Sequence, residues 1–306
     1  MKGLAIKSTG SLYSVKLENG AVISCRIRGN LRLKGFEATN PITVGDHVEV
    51  DYHDGDDVGM ISELFERKNY IIRKSVKLSK QVQIIAANID RAFVIATPVF
   101  PKTSLGFIDR FLATAEAYNI PGGIIFNKSD LYDQDIKKTV VELKKLYEEI
   151  GYKVIIVSAF DNSSINSLRQ ELKNTVNLFS GHSGVGKSSI INALIPGLDL
   201  KIAAISEQHL KGTHTTTFAE MHEIPKGGYV IDTPGIREFG IIDFNKYEVS
   251  HYFPEIFKTG RSCQFNNCLH TNEKQCAVKD AVKDGKIAMS RYESYLSILS
   301  NEDIFR

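Results

Sequence analysis

The stretch TVNLFSGHSGVGKSSIINAL, residues 175–194, decides the fold of this chain. Residues 175–179 are predicted to form a strand, residues 181–188 form a glycine-rich loop, and a helix pattern begins at Ser189. This order is the context that a phosphate-binding loop requires, because the glycines let successive backbone N–H groups surround a phosphate. A chance glycine turn is the alternative interpretation. The pattern favours a central α/β domain that binds a nucleotide.

The last residues of this loop have separate roles. Lys187 is expected to reach the β- and γ-phosphate oxygens, and Ser188 offers a hydroxyl to Mg²⁺. The candidate phosphate-binding residues are Gly181, His182, Ser183, Gly184, Val185, Gly186, Lys187, Ser188 and Ser189.

A second motif supplies a carboxylate for the metal. The sequence Asp232-Thr-Pro-Gly235 follows a strand predicted at 228–231. Asp232 therefore lies at the carboxyl end of a strand, where it can hold Mg²⁺ through water. The backbone of Gly235 can donate to the γ-phosphate.

The base is predicted from a third motif, Asn127-Lys128-Ser129-Asp130, after a strand at 123–126. A carboxylate at Asp130 accepts from both N1–H and N2–H of guanine, which adenine cannot offer. We therefore expect GTP, with Asn127 securing the loop and the N7 side of the purine. A helix N-cap turn is the alternative for this tetrapeptide taken alone.

Two small residues complete the predicted base site. Ser158 and Ala159 end a strand predicted at 153–157, where a backbone N–H can contact guanine O6. The pair is weak as a pattern and gains its meaning from this position.

A polar segment between the phosphate loop and Asp232 is expected to act as a switch. Residues 211–217 read Lys-Gly-Thr-His-Thr-Thr-Thr, and one of these threonines should coordinate Mg²⁺ and sense the γ-phosphate. The residue patterns leave three candidates open: Thr215, Thr216 and Thr217.

The residue after Gly235 bears on catalysis. Many GTPases carry a glutamine there to orient the attacking water, but this chain carries Ile236, so intrinsic hydrolysis should be slow. The nearby substitutes are His214 and Arg237. A histidine in the switch segment could orient or deprotonate water, and a plain surface histidine is the alternative.

The motifs occur in a rotated order along the chain. The usual order is phosphate loop, switch threonine, Asp-x-x-Gly, Asn-Lys-x-Asp and Ser-Ala, whereas here the last two come first. Because domain termini often lie close together, a circular permutation preserves the contacts around the nucleotide.

A cysteine-rich segment follows the nucleotide motifs. Its pattern Cys-x4-Cys-x-His-x5-Cys supplies three thiolates and one imidazole, the soft ligand set that tetrahedral Zn²⁺ prefers. We predict one structural Zn²⁺ per chain, with chance clustering of buried cysteines as the alternative and His251 as a weaker candidate for the imidazole. The predicted zinc ligands are Cys263, Cys268, His270 and Cys276.

Composition bounds the class of protein. The 306 residues are 42% hydrophobic and 24% charged, which is ordinary for a folded chain of two or three domains. No signal peptide or membrane-length apolar run is evident, so we expect a cytoplasmic protein without a membrane partner. The net charge is only +2, so any nucleic-acid surface must be local, and residues 1–40 carry seven Lys/Arg against two acids.

The flanking regions predict two further domains. An Asn19-Gly20 turn between two alternating strands predicts a hairpin, and short strands at 45–50 and 59–61 extend it to a small OB-type β-barrel. After the nucleotide motifs, the segments 277–282 and 287–299 have helical patterns. The predicted domains are an OB-fold domain at 1–70, a circularly permuted α/β P-loop GTPase domain at 71–243 and a mainly helical zinc-binding domain at 244–306.

Over nearly its whole length the chain resembles the ribosome small subunit-dependent GTPase A family. The most specific parts of the resemblance are the segments 181–188, 212–217, 232–239 and 263–270. It implies maturation of the small (30S) ribosomal subunit by a GTP-bound form that binds 16S rRNA and is released after stimulated hydrolysis to GDP. It also favours His214 as the catalytic residue and Thr216 as the switch threonine.

Two alternatives remain open from the sequence. One is a small-molecule kinase that uses the phosphate loop, against which Asn127 and Asp130 argue. The other is a GTP-regulated RNA-binding module in which hydrolysis is not essential, suggested by Ile236. We expect a monomeric GTPase that uses GTP and Mg²⁺.

Overall fold

The computed structural model describes residues 1–29, 41–53, 56–74, 82–200, 219–232 and 245–300. Within these ranges there is no helix whose length and apolar character would let it span a membrane. The strands and helices predicted above are all present, with ends shifted by about three residues or fewer.

Thirteen strands and seven α-helices lie in the described ranges. The strands are β1 (Lys2–Ser8), β2 (Tyr13–Leu17), β3 (Val22–Ile27), β4 (His47–Asp51), β5 (Gly59–Leu64), β6 (Tyr70–Lys74), β7 (Val82–Ala87), β8 (Arg91–Ala96), β9 (Gly122–Phe126), β10 (Lys153–Ile156), β11 (Val176–Ser180), β12 (Glu220–Glu223) and β13 (Tyr229–Asp232). The helices are α1 (Leu105–Ala117), α2 (Gln134–Ile150), α3 (Asn162–Glu171), α4 (Lys187–Leu194), α5 (Pro254–Gly260), α6 (Ala277–Lys283) and α7 (Met289–Leu299).

The first five strands form the OB-type barrel. Their order is β1-β2-β3-β5-β4, and β4 also pairs with β1, so the sheet closes on itself. The turn between β2 and β3 places Gly20 at a φ of 86°, a backbone conformation that favours glycine. Val15, Val48 and Ile61 are fully buried inside the barrel. Strand β1 was not predicted from the sequence.

The barrel joins the central domain edge to edge. Strand β1 pairs with β12 where Lys7 lies opposite Glu220, and the Nζ of Lys7 is 3.2 Å from a carboxylate oxygen of that residue. The Nζ of Lys16 is 2.5 Å from an oxygen of Glu223 on the same strand. The sequence suggested that the basic N-terminal segment is a surface for nucleic acid, but these two lysines are paired with acids at the domain junction.

A buried ion pair secures the same junction. Asp46 is fully buried and accepts hydrogen bonds from Nε and Nη2 of Arg67, each at 2.6 Å. Burial raises the pKa of Asp46, and Arg67 opposes this shift. Beside it, Gly45 has a φ of 92°, and a Cβ there would lie 2.0 Å from the carbonyl oxygen of Ala87. Only glycine permits this approach to the β6–β7 hairpin.

The central domain is built around β11, the strand that leads into the phosphate loop. Its sheet runs β10-β9-β8-β11-β13-β12, in which β12 alone is antiparallel to its neighbour. Helices α1 and α2 cover one face of this sheet, and α3 and α4 cover the other. Strand β11 lies between β8 and β13. One of these neighbours precedes the phosphate loop in the sequence, and the other follows it. This strand order is the one that the circularly permuted order of the motifs predicts for an α/β P-loop domain.

The C-terminal module packs on α1 through a buried charge network. Arg291 of α7 donates to Asp109 of α1 at 2.8 Å and to Glu255 of α5 at 2.7 Å. The hydroxyls of Tyr147 and Ser294 also donate to Asp109, at 2.8 and 2.6 Å. Burial opposes the charge of Arg291, but the two carboxylates outweigh it and hold its pKa above the usual value. The network therefore joins four helices, α1 and α2 of the central domain with α5 and α7 of the C-terminal module.

Candidate functional site

Four predicted segments meet at the carboxyl edge of the parallel sheet. Asn127 follows β9, Ser158 lies just after β10, the loop 181–186 follows β11, and Asp232 ends β13. Because these strands are parallel, their carboxyl ends point to one edge, where open α/β sheets bind their ligands. The structure thus brings together segments that are far apart in the sequence.

The phosphate loop has the backbone conformations that its glycines predict. Gly184 and Gly186 have φ angles of 82° and 91°, so both occupy the left-handed region. A Cβ on Gly186 would lie 2.3 Å from the Nδ2 of Asn127. A Cβ on Gly181 would lie 2.6 Å from the carbonyl oxygen of Ile95. The loop therefore packs against the backbone of Ile95 at its first residue and against Asn127 of the guanine motif at its last.

Asn127 connects the predicted base site to the phosphate loop. It is buried, and its Nδ2 donates to the carbonyl oxygen of Val185 at 2.9 Å. The hydroxyl of Tyr132 donates to its main-chain oxygen at 2.8 Å. Within the described ranges the Oδ1 of Asn127 is buried without a hydrogen-bond partner, as expected for an atom beside a ligand site.

The predicted base residues lie around one carboxylate. The Ser158 hydroxyl donates to Oδ1 of Asp130 at 2.5 Å, so the two motifs are joined directly. Lys128 has a φ of 66°, and its Nζ donates to the main-chain oxygen of Phe100 at 2.9 Å. Burial lowers the pKa of Lys128, and Asp130 opposes this shift. The backbone N–H of Ala159 forms no hydrogen bond within the described part of the chain, which leaves it available to an acceptor on a ligand.

The charged residues of the phosphate site form a pair. Lys187, Ser188 and Ser189 form the first turn of α4, and the Nζ of Lys187 donates to Oδ1 of Asp232. The side chains of Lys187 and Asp232 are only 13% and 10% exposed, so the pair is shielded from water. The predicted phosphate-binding cation and the predicted Mg²⁺ carboxylate thus occupy one small region.

The phosphate loop also touches α1. The ring of His182 lies over that of Phe107, with 3.7 Å between the ring centroids and 32° between the planes. Phe107 belongs to the first turn of α1, the helix that carries Asp109 and the buried charge network. This contact connects the phosphate loop to the element on which the C-terminal module packs.

Several predicted residues lie outside the described residues. They are the catalytic candidate His214, the switch candidates Thr215, Thr216 and Thr217, and the segment with Gly235, Ile236 and Arg237. The described part of the site therefore contains the base-recognition segment, the phosphate loop and Asp232.

The predicted metal ligands converge in the C-terminal module. The Sγ atoms of Cys263, Cys268 and Cys276 and a ring nitrogen of His270 all lie within 4.8 Å of one another. The Sγ of Cys276 is 3.4 Å from Nδ1 of His270, 3.8 Å from the Sγ of Cys268 and 3.9 Å from that of Cys263. A tetrahedral ion with Zn–S bonds of about 2.3 Å and Zn–N bonds of about 2.0 Å places its ligand atoms at similar separations. The donor set and its spacing fit Zn²⁺.

The backbone around this cluster is held from two sides. His270 has a φ of 59°, and the hydroxyl of Tyr292 donates to its main-chain oxygen at 2.5 Å. The carboxylate of Glu273 accepts from the N–H groups of Leu269 and Thr271, both at 2.7 Å. His251, the weaker candidate, instead packs edge-on against an aromatic ring of α5. Such outer contacts orient metal ligands.

Removing one ligand should disrupt this module. We expect wild-type protein to contain one Zn²⁺ per chain by elemental analysis, and Cys268→Ser to lose the metal and unfold the C-terminal module, because the ion holds a short segment together. Cys25→Ala is the matched control, since Cys25 is buried in the barrel. A fully folded protein without zinc would contradict the assignment.

Sequence reasoning missed three contributors to these sites. It did not find the hydroxyl contact from Tyr132, the link between Ser158 and Asp130, or the contact of Phe107 with His182. Ser158 was predicted to act through its backbone, whereas here its side-chain hydroxyl donates to Asp130. No pattern in the sequence reports these contacts, because each joins separate elements through side chains.

Two family descriptions match the chain. The family described as RsgA GTPase matches residues 64–242, and that described as RsgA N-terminal domain matches residues 2–61. The chain is 52% identical over 303 residues to the Small ribosomal subunit biogenesis GTPase RsgA of Bacteroides fragilis, covering 99% of this chain and 97% of that protein. It is 51% identical over 305 residues to the protein of the same name from Flavobacterium psychrophilum, covering 99% and 94%.

Two solved structures have the same overall fold. The crystal structure of YjeQ from Thermotoga maritima is similar with a TM-score of 0.80 and 34% identity, covering 98% of this chain and 97% of that one. The structure of YloQ, described as a circularly permuted GTPase, has a TM-score of 0.77 and 31% identity, covering 98% and 94%. The architecture of three regions is therefore shared along the full chain.

Proposed function

The chain belongs to the RsgA GTPase family, and from this premise we propose that it hydrolyses GTP during maturation of the small ribosomal subunit. In this proposal the GTP-bound protein binds 16S rRNA on the 30S subunit, the subunit stimulates hydrolysis, and the GDP form leaves. One observation carries the proposal: the base, phosphate and Mg²⁺ segments meet at one sheet edge. Relatives covering the whole chain are named small ribosomal subunit biogenesis GTPases.

Each segment has a part in this chemistry. Asp130 accepts from the guanine edge, and the amide of Ala159 donates to O6. The N–H groups of the phosphate loop and Lys187 hold the β- and γ-phosphates. Ser188 and Thr216 would hold Mg²⁺, whose positive charge would oppose the charge that develops on the γ-phosphate. The support for these roles is the placement of the described residues at the carboxyl edge.

Base recognition gives a sharp test. Asp130→Asn is expected to weaken GTP binding and strengthen binding of xanthosine triphosphate, because an amide presents a donor where the carboxylate accepted from guanine. Equilibrium dissociation constants of both nucleotides, measured for wild type and variant, show whether the preference changes from GTP to xanthosine triphosphate. Asp133→Asn is the matched control, because this nearby aspartate caps α2 through its own side chain. An unchanged preference in Asp130→Asn would remove Asp130 from the base site.

The catalytic assignment rests on what the chain lacks after Gly235. Ile236 has no amide or acid with which to orient water, so we assign that role to His214 in the switch segment. His214→Ala should leave GTP binding and docking on the subunit nearly intact while lowering subunit-stimulated hydrolysis by about 10² or more. Single-turnover hydrolysis at saturating subunits measures this loss. Wild-type rates there would exclude His214 and turn attention to Arg237.

The proposed function as a whole is tested by hydrolysis with and without purified small subunits. We expect slow turnover of the protein alone and a large stimulation by the subunit. Fast turnover without any macromolecule would favour a kinase or an independent hydrolase. Binding to the subunit that depends on GTP, but without stimulated turnover, would leave a GTP-regulated RNA-binding module.

The rest of the assignment follows from the same proposal. We divide the chain into an OB-fold domain at 1–70, a permuted GTPase domain at 71–243 and a zinc-binding domain at 244–306. One structural Zn²⁺ would be held by the cysteine and histidine cluster, whose four ligand atoms lie within 4.8 Å. A monomer in the bacterial cytoplasm suits a factor that binds 16S rRNA.

A further inference from the structure

Phe160 has no role in the assignments above, although it lies beside the base site. No large apolar side chain in the described ranges is more exposed than this one, at 86%. It directly follows Ser158 and Ala159, the pair that lies just after β10 at the ligand edge of the sheet. Because this ring is open to water and directly follows the base-site pair, it is available to contact a bound base.

Hydrogen bonds of the turn fix the main chain at Phe160. The N–H of Asp161 donates to the main-chain oxygen of Ser158 at 3.0 Å, which closes a turn with Phe160 at its third position. The N–H of Phe160 donates to the hydroxyl oxygen of Ser158 at 3.2 Å, and that hydroxyl donates to Asp130 at 2.5 Å. Asp161 also caps α3 by accepting from Ser164 at 3.2 Å. Phe160 is thus tied to the base-recognition carboxylate through two hydrogen bonds.

We propose that the ring of Phe160 stacks on a face of the guanine base. The inference rests on the proposed function, because it requires guanine to be held by Asp130. Hydrogen bonds from a carboxylate act on the edge of the base and leave its two faces to be covered by other groups. Aromatic rings stack on every base, so Phe160 contributes affinity and residence time, whereas Asp130 contributes the choice of base.

A tryptophan at this position reports the contact directly. The chain contains no tryptophan, so Phe160→Trp introduces a single indole fluorophore. We expect saturating GDP to quench its emission strongly, because the indole stacks on the purine. Phe265→Trp is the matched control, since Phe265 is also exposed, at 51%, but lies among the zinc ligands. Its emission should not respond to GDP.

Truncation of the ring measures its contribution. Phe160→Ala is expected to weaken GDP binding by about 10-fold or more through faster dissociation, and Phe160→Tyr should retain wild-type affinity because it keeps the ring. In the Asp130→Asn background, the truncation should weaken xanthosine diphosphate binding by the same factor. Equal factors indicate that stacking is independent of the edge contacts.

The outcomes separate this inference from the proposed function. Wild-type protein that binds no guanine nucleotide overturns both. Normal GDP binding by wild type and Phe160→Ala, with no quenching in Phe160→Trp, overturns the stacking alone. If Phe160→Ala binds GDP normally but docks poorly on small subunits, the ring contacts the subunit and the stacking is again overturned. Circular dichroism of each variant verifies that the exposed substitution leaves the fold intact.

Discussion

Lys187→Ala is expected to reduce GTP turnover to the background of the assay, with or without small subunits. The Nζ of Lys187 lies against Asp232 in a region where both side chains are nearly buried, at the start of α4. A cation there neutralises charge on the β- and γ-phosphates as the bond breaks, and alanine leaves that charge without a partner. Phosphate release under single-turnover conditions measures the loss.

Two companion variants make the Lys187 experiment specific. Ser188→Ala removes only a hydroxyl beside the lysine and should also abolish turnover, because Mg²⁺ would then lack one of its proposed ligands. Lys173→Ala is the control, since Lys173 is exposed just before β11 and should leave turnover unchanged. Retained hydrolysis in both Lys187→Ala and Ser188→Ala would contradict the phosphate-loop assignment. Circular dichroism should show that all three variants remain folded.

Arg291→Met is expected to lower the free energy of unfolding by about 3–5 kcal/mol, because it leaves buried carboxylates without their cation. The side chains of Arg291 and Asp109 are 1% and 0% exposed, and Glu255 is largely buried beside them. Tyr147 still donates to Asp109, but a neutral hydroxyl does not compensate a buried charge. Urea denaturation monitored by circular dichroism measures the change.

An exposed arginine on the same module provides the comparison. Arg261 is exposed and lies over the ring of Phe257 on the surface of α5. Arg261→Met should change the free energy of unfolding by no more than about 0.5 kcal/mol. If Arg291→Met were as stable as wild type, the network would not be the joint between α1 and the C-terminal module.

The nucleotide segments could be predicted from the sequence because their chemistry is local. A glycine-rich loop needs its glycines at particular backbone angles, and Gly184 and Gly186 have the positive φ that the pattern implies. The cysteine and histidine cluster was equally accessible, because its four side chains lie within fourteen residues, from Cys263 to Cys276. In both cases the residue types and their spacing are those that a single ligand would require.

Strand β1 could not be predicted because its inward positions are small. Gly3 and Ala5 face the barrel, so the alternation of large apolar and polar residues that indicates a strand is missing. Close packing explains why residue 3 is a glycine, because a Cβ there would lie 2.4 Å from a methyl carbon of Val15. A well-packed interior here removes the signal by which a strand is recognised.

Contacts between distant segments also could not be predicted from the sequence. Asp109 and Arg291 are paired across 182 positions, and Lys7 and Glu220 across 213. Each of these residues taken alone is an ordinary charged residue of a helix or strand. The basic N-terminal segment was therefore interpreted through its charge, although Lys7 serves the junction with β12.

The position of β11 between β8 and β13 affects how the chain is made. Strand β8 can pair with β9 once both are synthesised, but its other edge has no native partner until β11 emerges about 80 residues later. At about 5–20 residues per second this interval lasts roughly 4–16 s, during which an apolar strand edge can pair with a foreign strand. The permuted order thus leaves this edge without its native partner while the chain is still being translated. Nucleotide cannot assist folding in that interval, because the loop that holds the phosphates has not yet been synthesised.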